Sequence, residues 1–194
     1  MKFLPASGHK RMPWKNGGGE TIEISVFPDG ASLSEFDWRV SMATVASDGP
    51  FSAFPGIDRT LSILRGNGMT LLIDGRDPAR LTEADAPLAF PADVATSASL
   101  IDGKIVDLNV MTRRGKLTHH VRRLAVEGEH SLASEAATAM VFCHRGAVTL
   151  DANGQMLALA AGDAMTLSGP LAVTLKAPAP CELFFIEIDT ARGV

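Results

Sequence analysis

Cysteine is scarce in this chain: Cys143 and Cys181 are the only two, each set inside an apolar run. That usage fits small buried hydrophobes in a reducing compartment better than a disulfide or a thiolate metal site. No apolar run approaches the roughly 18 residues of a membrane span, and Pro5, Gly8 and His9 interrupt the N-terminal stretch before it could serve as a signal peptide. An excess of base is also missing, since 18 Lys and Arg stand against 22 Asp and Glu for a formal charge of -4. The two signs are interspersed, which leaves no stripe for nucleic acid and no polybasic patch for a membrane surface. The expectation is a cytoplasmic protein with no nucleic-acid or membrane partner, and a small neutral or anionic ligand remains open.

What is present is a succession of short apolar segments with turns between them. TIEISVF, WRVSMATV, LSILRG, MTLLI, IVDLNVMT, AVTLD, MLALAAGD, AVTLK and ELFFIEI are separated by sequences such as PDG, SDGP, NG, DGRDP and ANG. Many short strands with Asp-Gly and Asn-Gly turns predict an all-β antiparallel sandwich or barrel with little helix. The best helical candidate is HSLASEAATAM, near Ser131–Met140, which reads equally as a loop.

The segment LSILRGNGMTLLIDG is echoed by MVFCHRGAVTLDANG, with Arg65-Gly66 matching Arg145-Gly146 ahead of a strand. Repetition at a fixed offset predicts a duplicated β-unit. The second copy resembles a cupin half-barrel, so the 194 residues are expected to form one double cupin-like (bicupin) domain, with units of about 1–115 and 116–194. Only the first is expected to hold a pocket, because GDAMTLSGPLAVTL is nearly devoid of suitable polar side chains.

Metal-binding cupins usually present His-x-His, then a Glu and a later His. The histidines here, His9, His119, His120, His130 and His144, form no such motif, and FPGIDRTLSILRGNG contains none. No metal and no cofactor are therefore expected. The NGGGET stretch lacks the Gly-Lys-Ser/Thr of a phosphate loop and the third glycine and preceding strand of a dinucleotide fingerprint. Two readings of Gly17, Gly18 and Gly19 remain: a tight turn, or a concavity of backbone N–H groups for an oxyanion.

Strand alternation then sorts the polar groups. Thr21, Glu23 and Ser25 oppose Ile22, Ile24 and Val26; Arg39 and Ser41 oppose Trp38, Val40 and Met42; Asp107, Asn109 and Met111 oppose Leu108 and Val110. Such faces ordinarily meet solvent, but Arg-x-Ser and Asp-x-Asn-x-Met are unusual for a solvated face. Arg39 and Arg59 stand out because a guanidinium fork recognises a carboxylate bidentately. Asp58 could instead make a structural ion pair. Glu23 and Asp107 could act as acid and base, but no activated nucleophile is readable.

The strings MPWKNGGGETIEI, WRVSMATVASDGPFSAFPGIDRTLSILRGNGMTL and GKIVDLNVMTRRG, in this order, resemble the HutD/Ves family of bicupin proteins. The resemblance implies a cytoplasmic double cupin without metal-binding histidines, associated with histidine utilisation, that binds a small pathway metabolite and limits flux. Its pocket would draw on Trp14, Lys15, Asn16, Gly17, Gly18, Thr21 and Glu23, then Arg39 and Ser41, then Phe51, Asp58 and Arg59, then Asp107, Asn109 and Met111. Where the family is expected to carry Thr-Arg after the glycines, this chain reads Thr21-Ile22, which leaves Arg39 and Arg59 as the anion partners.

The expected ligand is a carboxylate metabolite of histidine catabolism, of the urocanate or formimino- or formyl-glutamate type. Arg59, with Arg39 second, would pair its carboxylate; Glu23, Asp107 and Asn109 would meet its nitrogen-bearing end; Trp14 and Met111 would form apolar walls. Two alternatives stand beside this regulatory binding role: a cofactor-free enzyme with Glu23 or Asp107 as general base, and a protein-interaction modulator. A homodimer is left open.

Overall fold

Alternating β-branched and polar residues, cut at short intervals by glycine turns, favour strands over helices throughout. A computed structural model describes residues 1–14, 17–152 and 154–191. Apart from one 3-10 turn at Ala6–Gly8, the regular elements described are all strands. They fall into two compact units, residues 10–118 and residues 1–9 with 119–191. No helix among the described residues is long and apolar enough to cross a membrane.

In chain order the strands begin with β1 (Lys2–Leu4), β2 (Lys10–Pro13), β3 (Gly19–Phe27), β4 (Trp38–Val45), β5 (Gly49–Pro50) and β6 (Ile57–Arg65). There follow β7 (Met69–Ile73), β8 (Ala79–Leu81), β9 (Leu88–Pro91), β10 (Thr96–Leu100), β11 (Ile105–Arg113) and β12 (Leu117–Ser134). The remainder are β13 (Thr138–Arg145), β14 (Ala147–Ala152), β15 (Gln155–Ala160), β16 (Ala164–Ser168) and β17 (Leu171–Thr190). The helical candidate is strand, bend, strand: Ser131–Ser134 ends β12, and Thr138–Met140 opens β13. Leu132 and Ser134 are buried at alternate positions, which is a period of two.

The unit of residues 10–118 contains a six-stranded antiparallel sheet, β2-β3-β4-β11-β6-β9, and a four-stranded one, β5-β10-β7-β8. Ala43, Val45, Leu61 and Ile63 of the first pack with Met69, Leu71, Ile73 and Ala98 of the second. This apolar cluster floors the site described below.

The other unit is built on a seven-stranded sheet, β1-β16-β13-β17-β14-β15, with β12 also paired to β17. The first nine residues join it because β1 pairs with β16, Lys2 opposite Thr166 through Leu4 opposite Ala164. Cys143 and Cys181, distant in sequence, meet in its core as free thiols with sulfurs 3.9 Å apart. Burial pushes the Cys143 thiol up to about 12, so it packs as an inert hydrophobe.

The internal echo has a structural counterpart down to an irregularity. Against β11 the register of β6 skips Leu64, and against β17 the register of β13 skips His144, in each case just before Arg-Gly. Each glycine is then required. Gly66 has φ +99° with the Lys104 carbonyl 2.7 Å from where a Cβ would stand, and Gly146 has φ +80° with the Pro180 carbonyl at 2.9 Å. The registers make β6 and β11 of one unit equivalent to β13 and the second half of β17 in the other.

Candidate functional site

Residues directly opposite one another in an antiparallel ladder share a face, so the register of the six-stranded sheet assigns the side chains. One row runs Thr21, Ala43, Asp107, Ile63; the next runs Glu23, Ser41, Asn109, Leu61; a third runs Val26, Arg39, Met111, Arg59, Phe90. Polar groups from β3, β4, β6 and β11 thus meet on one face above the apolar floor. The sheet's register, a long-range property, brings them together.

A bulge in β3 corrects one expectation. The pairing passes from Glu23 opposite Ser41 to Ser25 opposite Val40 and Val26 opposite Arg39. The extra residue, Ile24, reverses the alternation, so Ser25 leaves the polar face and Val26 joins it.

Arg39 is 5% exposed and its Nε donates to Glu23 Oε2 at 2.7 Å. This pair is complete. Arg59, equally buried at 5% exposure, differs: its Nε has no hydrogen-bond partner among the described residues. Its guanidinium carbon lies 5.2, 5.4 and 5.8 Å from the ring centres of Phe51, Phe54 and Phe90. Burial lowers its pKa to about 10, Arg39 adds to that effect, and Asp107 opposes it.

Asp107 is the counter-charge. It is 2% exposed, and burial raises its carboxyl to about 7 despite the opposing pull of Arg59, Asn109 and the Ala43 backbone N–H. The Asn109 amide donates to Asp107 Oδ1 at 2.6 Å. The face therefore offers a guanidinium with a free donor, screened by three aromatic rings, beside a carboxyl poised between its two protonation states. It supplies no imidazole, and among the described residues no three His, Cys, Asp or Glu converge on a metal position.

The remaining candidates have definite places. The Trp14 indole N–H donates to Thr21 Oγ1 at 2.8 Å, and Trp14 and Phe51 pack on the apolar floor. Gly17 N–H donates to the Trp14 carbonyl at 3.1 Å, and the Gly18 carbonyl accepts from Ala46 N–H at 3.0 Å, so the glycine segment closes a turn on Trp14 and β4. Lys15 and Asn16 lie outside the described residues. Asp58 points to the opposite face from Arg59, where Arg114 Nε donates to its Oδ1 at 2.8 Å and also holds Asp93. Phe54 and Phe90 escaped the sequence reading. Phe90 is placed by its pairing opposite Arg59.

The HutD family model matches residues 6–185. The chain belongs to the HutD family. Among curated HutD-like relatives, an uncharacterized 21.2 kDa protein in the hutC 3' region of Pseudomonas putida is 36% identical over 155 residues, 80% of each chain. Protein Ves of Citrobacter koseri is 37% identical over 118 residues, 58% of this chain and 60% of that one. A conserved protein of unknown function from Pseudomonas aeruginosa PAO1 superposes with a TM-score of 0.90 at 35% identity, covering 97% and 98% of the two chains. HutD from Pseudomonas fluorescens SBW25, solved in a formate condition, gives 0.79 at 32% identity over 99% of each chain. A cupin 2 barrel protein from Leptotrichia buccalis, 14% identical with a TM-score of 0.55 over 87% and 88% of the chains, shares the fold alone.

Within this HutD-family chain, the duplicated unit carries three of these positions without charge, while Glu187 stands where Met111 stands. Ala139, Leu183 and Phe185, all fully buried, stand where Arg59, Asp107 and Asn109 stand. Packing in this fold does not demand ions there. Asp107→Leu alone, which strands a buried guanidinium, should cost about 3 kcal/mol or more, whereas Arg59→Ala with Asp107→Leu should recover most of that loss in urea denaturation. No recovery would mean that the two charges are not coupled.

Acid titration gives a second check. The folded-state pKa of Asp107 is raised from 3.8 to about 7. Above pH 7 its charge is held in both states at a cost to the fold, and between pH 7 and 4 only the folded state takes up the proton. Lowering the pH from about 8 to 5 should therefore stabilise the wild type relative to Asp107→Asn by about 2 to 3 kcal/mol. Equal pH profiles of the two proteins would contradict the assignment.

Proposed function

We propose that this chain is a metal-free small-molecule-binding bicupin that holds a carboxylate metabolite of histidine catabolism and acts as a regulatory sink or sensor on that pathway. The observation that carries the reading is Arg59: a guanidinium buried among three phenylalanines with an unused Nε donor. A buried donor without an acceptor costs free energy that a docked carboxylate returns as a charge-assisted, bidentate pair. Arg39 is a weaker candidate because Glu23 already occupies its Nε.

The duplicated unit adds support, since the charges are dispensable to packing and call for another role. Membership of the HutD family and the hutC-region relative favour a ligand from histidine breakdown. Within that class, urocanate and formimino- or formyl-glutamate combine a carboxylate with a nitrogen-bearing end that Asn109 and Asp107 can meet.

Thermal-shift screening tests this directly. One of these metabolites at about 100 times its Kd should add about 2.7 kcal/mol of stability, a rise of about 5 to 10 °C in Tm, and Arg59→Ala should abolish the rise. If none of them shifts Tm at millimolar concentration, the proposal fails. Turnover of a probe seen by NMR and lost in Asp107→Asn would replace binding with catalysis, for which a carboxyl poised near neutrality is suited.

A further inference from the structure

Docking a carboxylate on Arg59 poses a charge problem. By register Lys10 on β2, opposite Glu23 but exposed at the sheet's edge, shares the polar face with four charged side chains removed from solvent: Glu23 on β3, Arg39 on β4, Arg59 on β6 and Asp107 on β11. Those four are two cations and two anions, so the interior of the empty site is balanced. The strands packed against them contribute no further charge: Met69, Leu71 and Ile73 come from β7, Leu88 and Phe90 from β9, and Ala98 with Thr96, whose hydroxyl donates to the Val94 carbonyl, from β10. No histidine occurs between Lys10 and Thr118. An incoming carboxylate would leave a net negative charge in a place largely closed to water, which is strongly unfavourable unless a proton enters too.

The two acids are not equal candidates for that proton. Glu23 receives a 2.7 Å charge-assisted bond from Arg39 Nε, and protonation would forfeit it. Asp107 receives two neutral amides, Asn109 at 2.6 Å and the Ala43 backbone N–H, and the cation that favours its ionised form is Arg59, the group the ligand claims. The ligand and the Asp107 carboxylate therefore compete for one guanidinium.

We propose that a carboxylate ligand enters this site together with one proton, which Asp107 takes up, so that the neutral Asp107 O–H donates to the ligand while Arg59 pairs with its charge. This rests on the carboxylate-binding reading above and adds the regulation of that site. Asp107 exchanges its role as counter-ion for that of donor, and the site keeps its charge balance. Since the free carboxyl titrates near 7, affinity is level below that pH and falls above it, about tenfold in Kd per pH unit, until the bound form also loses its proton.

The test uses formate and N-formylglutamate, neither of which titrates near neutrality. Calorimetric titration of the full chain at about pH 8, in Tris and in HEPES, reads proton uptake from the difference in heats. The expected result is close to one proton per site, with Kd rising about tenfold between pH 8 and 9. Asp107→Asn should bind with no uptake and no pH dependence in that range. Wild-type binding with zero uptake and a pH-independent Kd overturns this inference while leaving the carboxylate site standing. Continued uptake by Asp107→Asn also overturns it, by assigning the proton elsewhere. Absence of binding by either probe up to about 10 mM overturns both this inference and the function it rests on. The wild-type measurements decide even if Asp107→Asn does not fold.

Discussion

A buried guanidinium whose Nε has no hydrogen-bonding acceptor among the described residues is the constraint around which this site is arranged. Arg59 cannot discard its proton as a lysine would, and burial lowers its pKa only to about 10, so it remains a cation. Its position in the fold is tolerable because three phenylalanine faces and the nearby Asp107 offset part of the lost hydration. Everything unusual nearby follows from that residue. Asp107 is kept buried as its counter-charge, Asn109 orients Asp107, and Glu23 occupies Arg39 so that Arg59 is the fork left open.

The duplicated architecture supplies its own control. Both units skip one residue before Arg-Gly and press a neighbouring carbonyl against the glycine that follows, so the backbone problem is solved the same way twice. The side chains on the inward face are not. One unit fills the positions with Ala139, Leu183 and Phe185, the ordinary contents of a β core; the other places Arg59, Asp107 and Asn109 there. A fold that is stable with either set in equivalent places has room for function in one of them, which is where ion burial is usually tolerated.

Much of this was legible in the chain because a strand's period of two is a local property. The groupings Arg39 with Ser41, and Asp107 with Asn109 and Met111, follow from counting alone. The same parity turns Asp58 away from Arg59 to meet Arg114. Counting failed at Ile24, since a bulge adds one residue and leaves no reliable mark in composition. The aromatic surround failed for a different reason: Phe90 meets Arg59 through the pairing of β6 with β9, and Cys143 meets Cys181 through the pairing of β13 with β17, both long-range registers. At the glycine motif, Gly17 N–H bonds the Trp14 carbonyl, and the Trp14 indole bonds Thr21 at the edge of the polar face.

The most direct measurement is a crystal structure grown with saturating N-formylglutamate or formate. The expected result is a carboxylate with its oxygens about 3 Å from the Arg59 guanidinium, one of them on Nε, within the ring of Phe51, Phe54 and Phe90. A structure in which Arg59 is instead fully bonded to Asp107, with the carboxylate bound elsewhere, would contradict it.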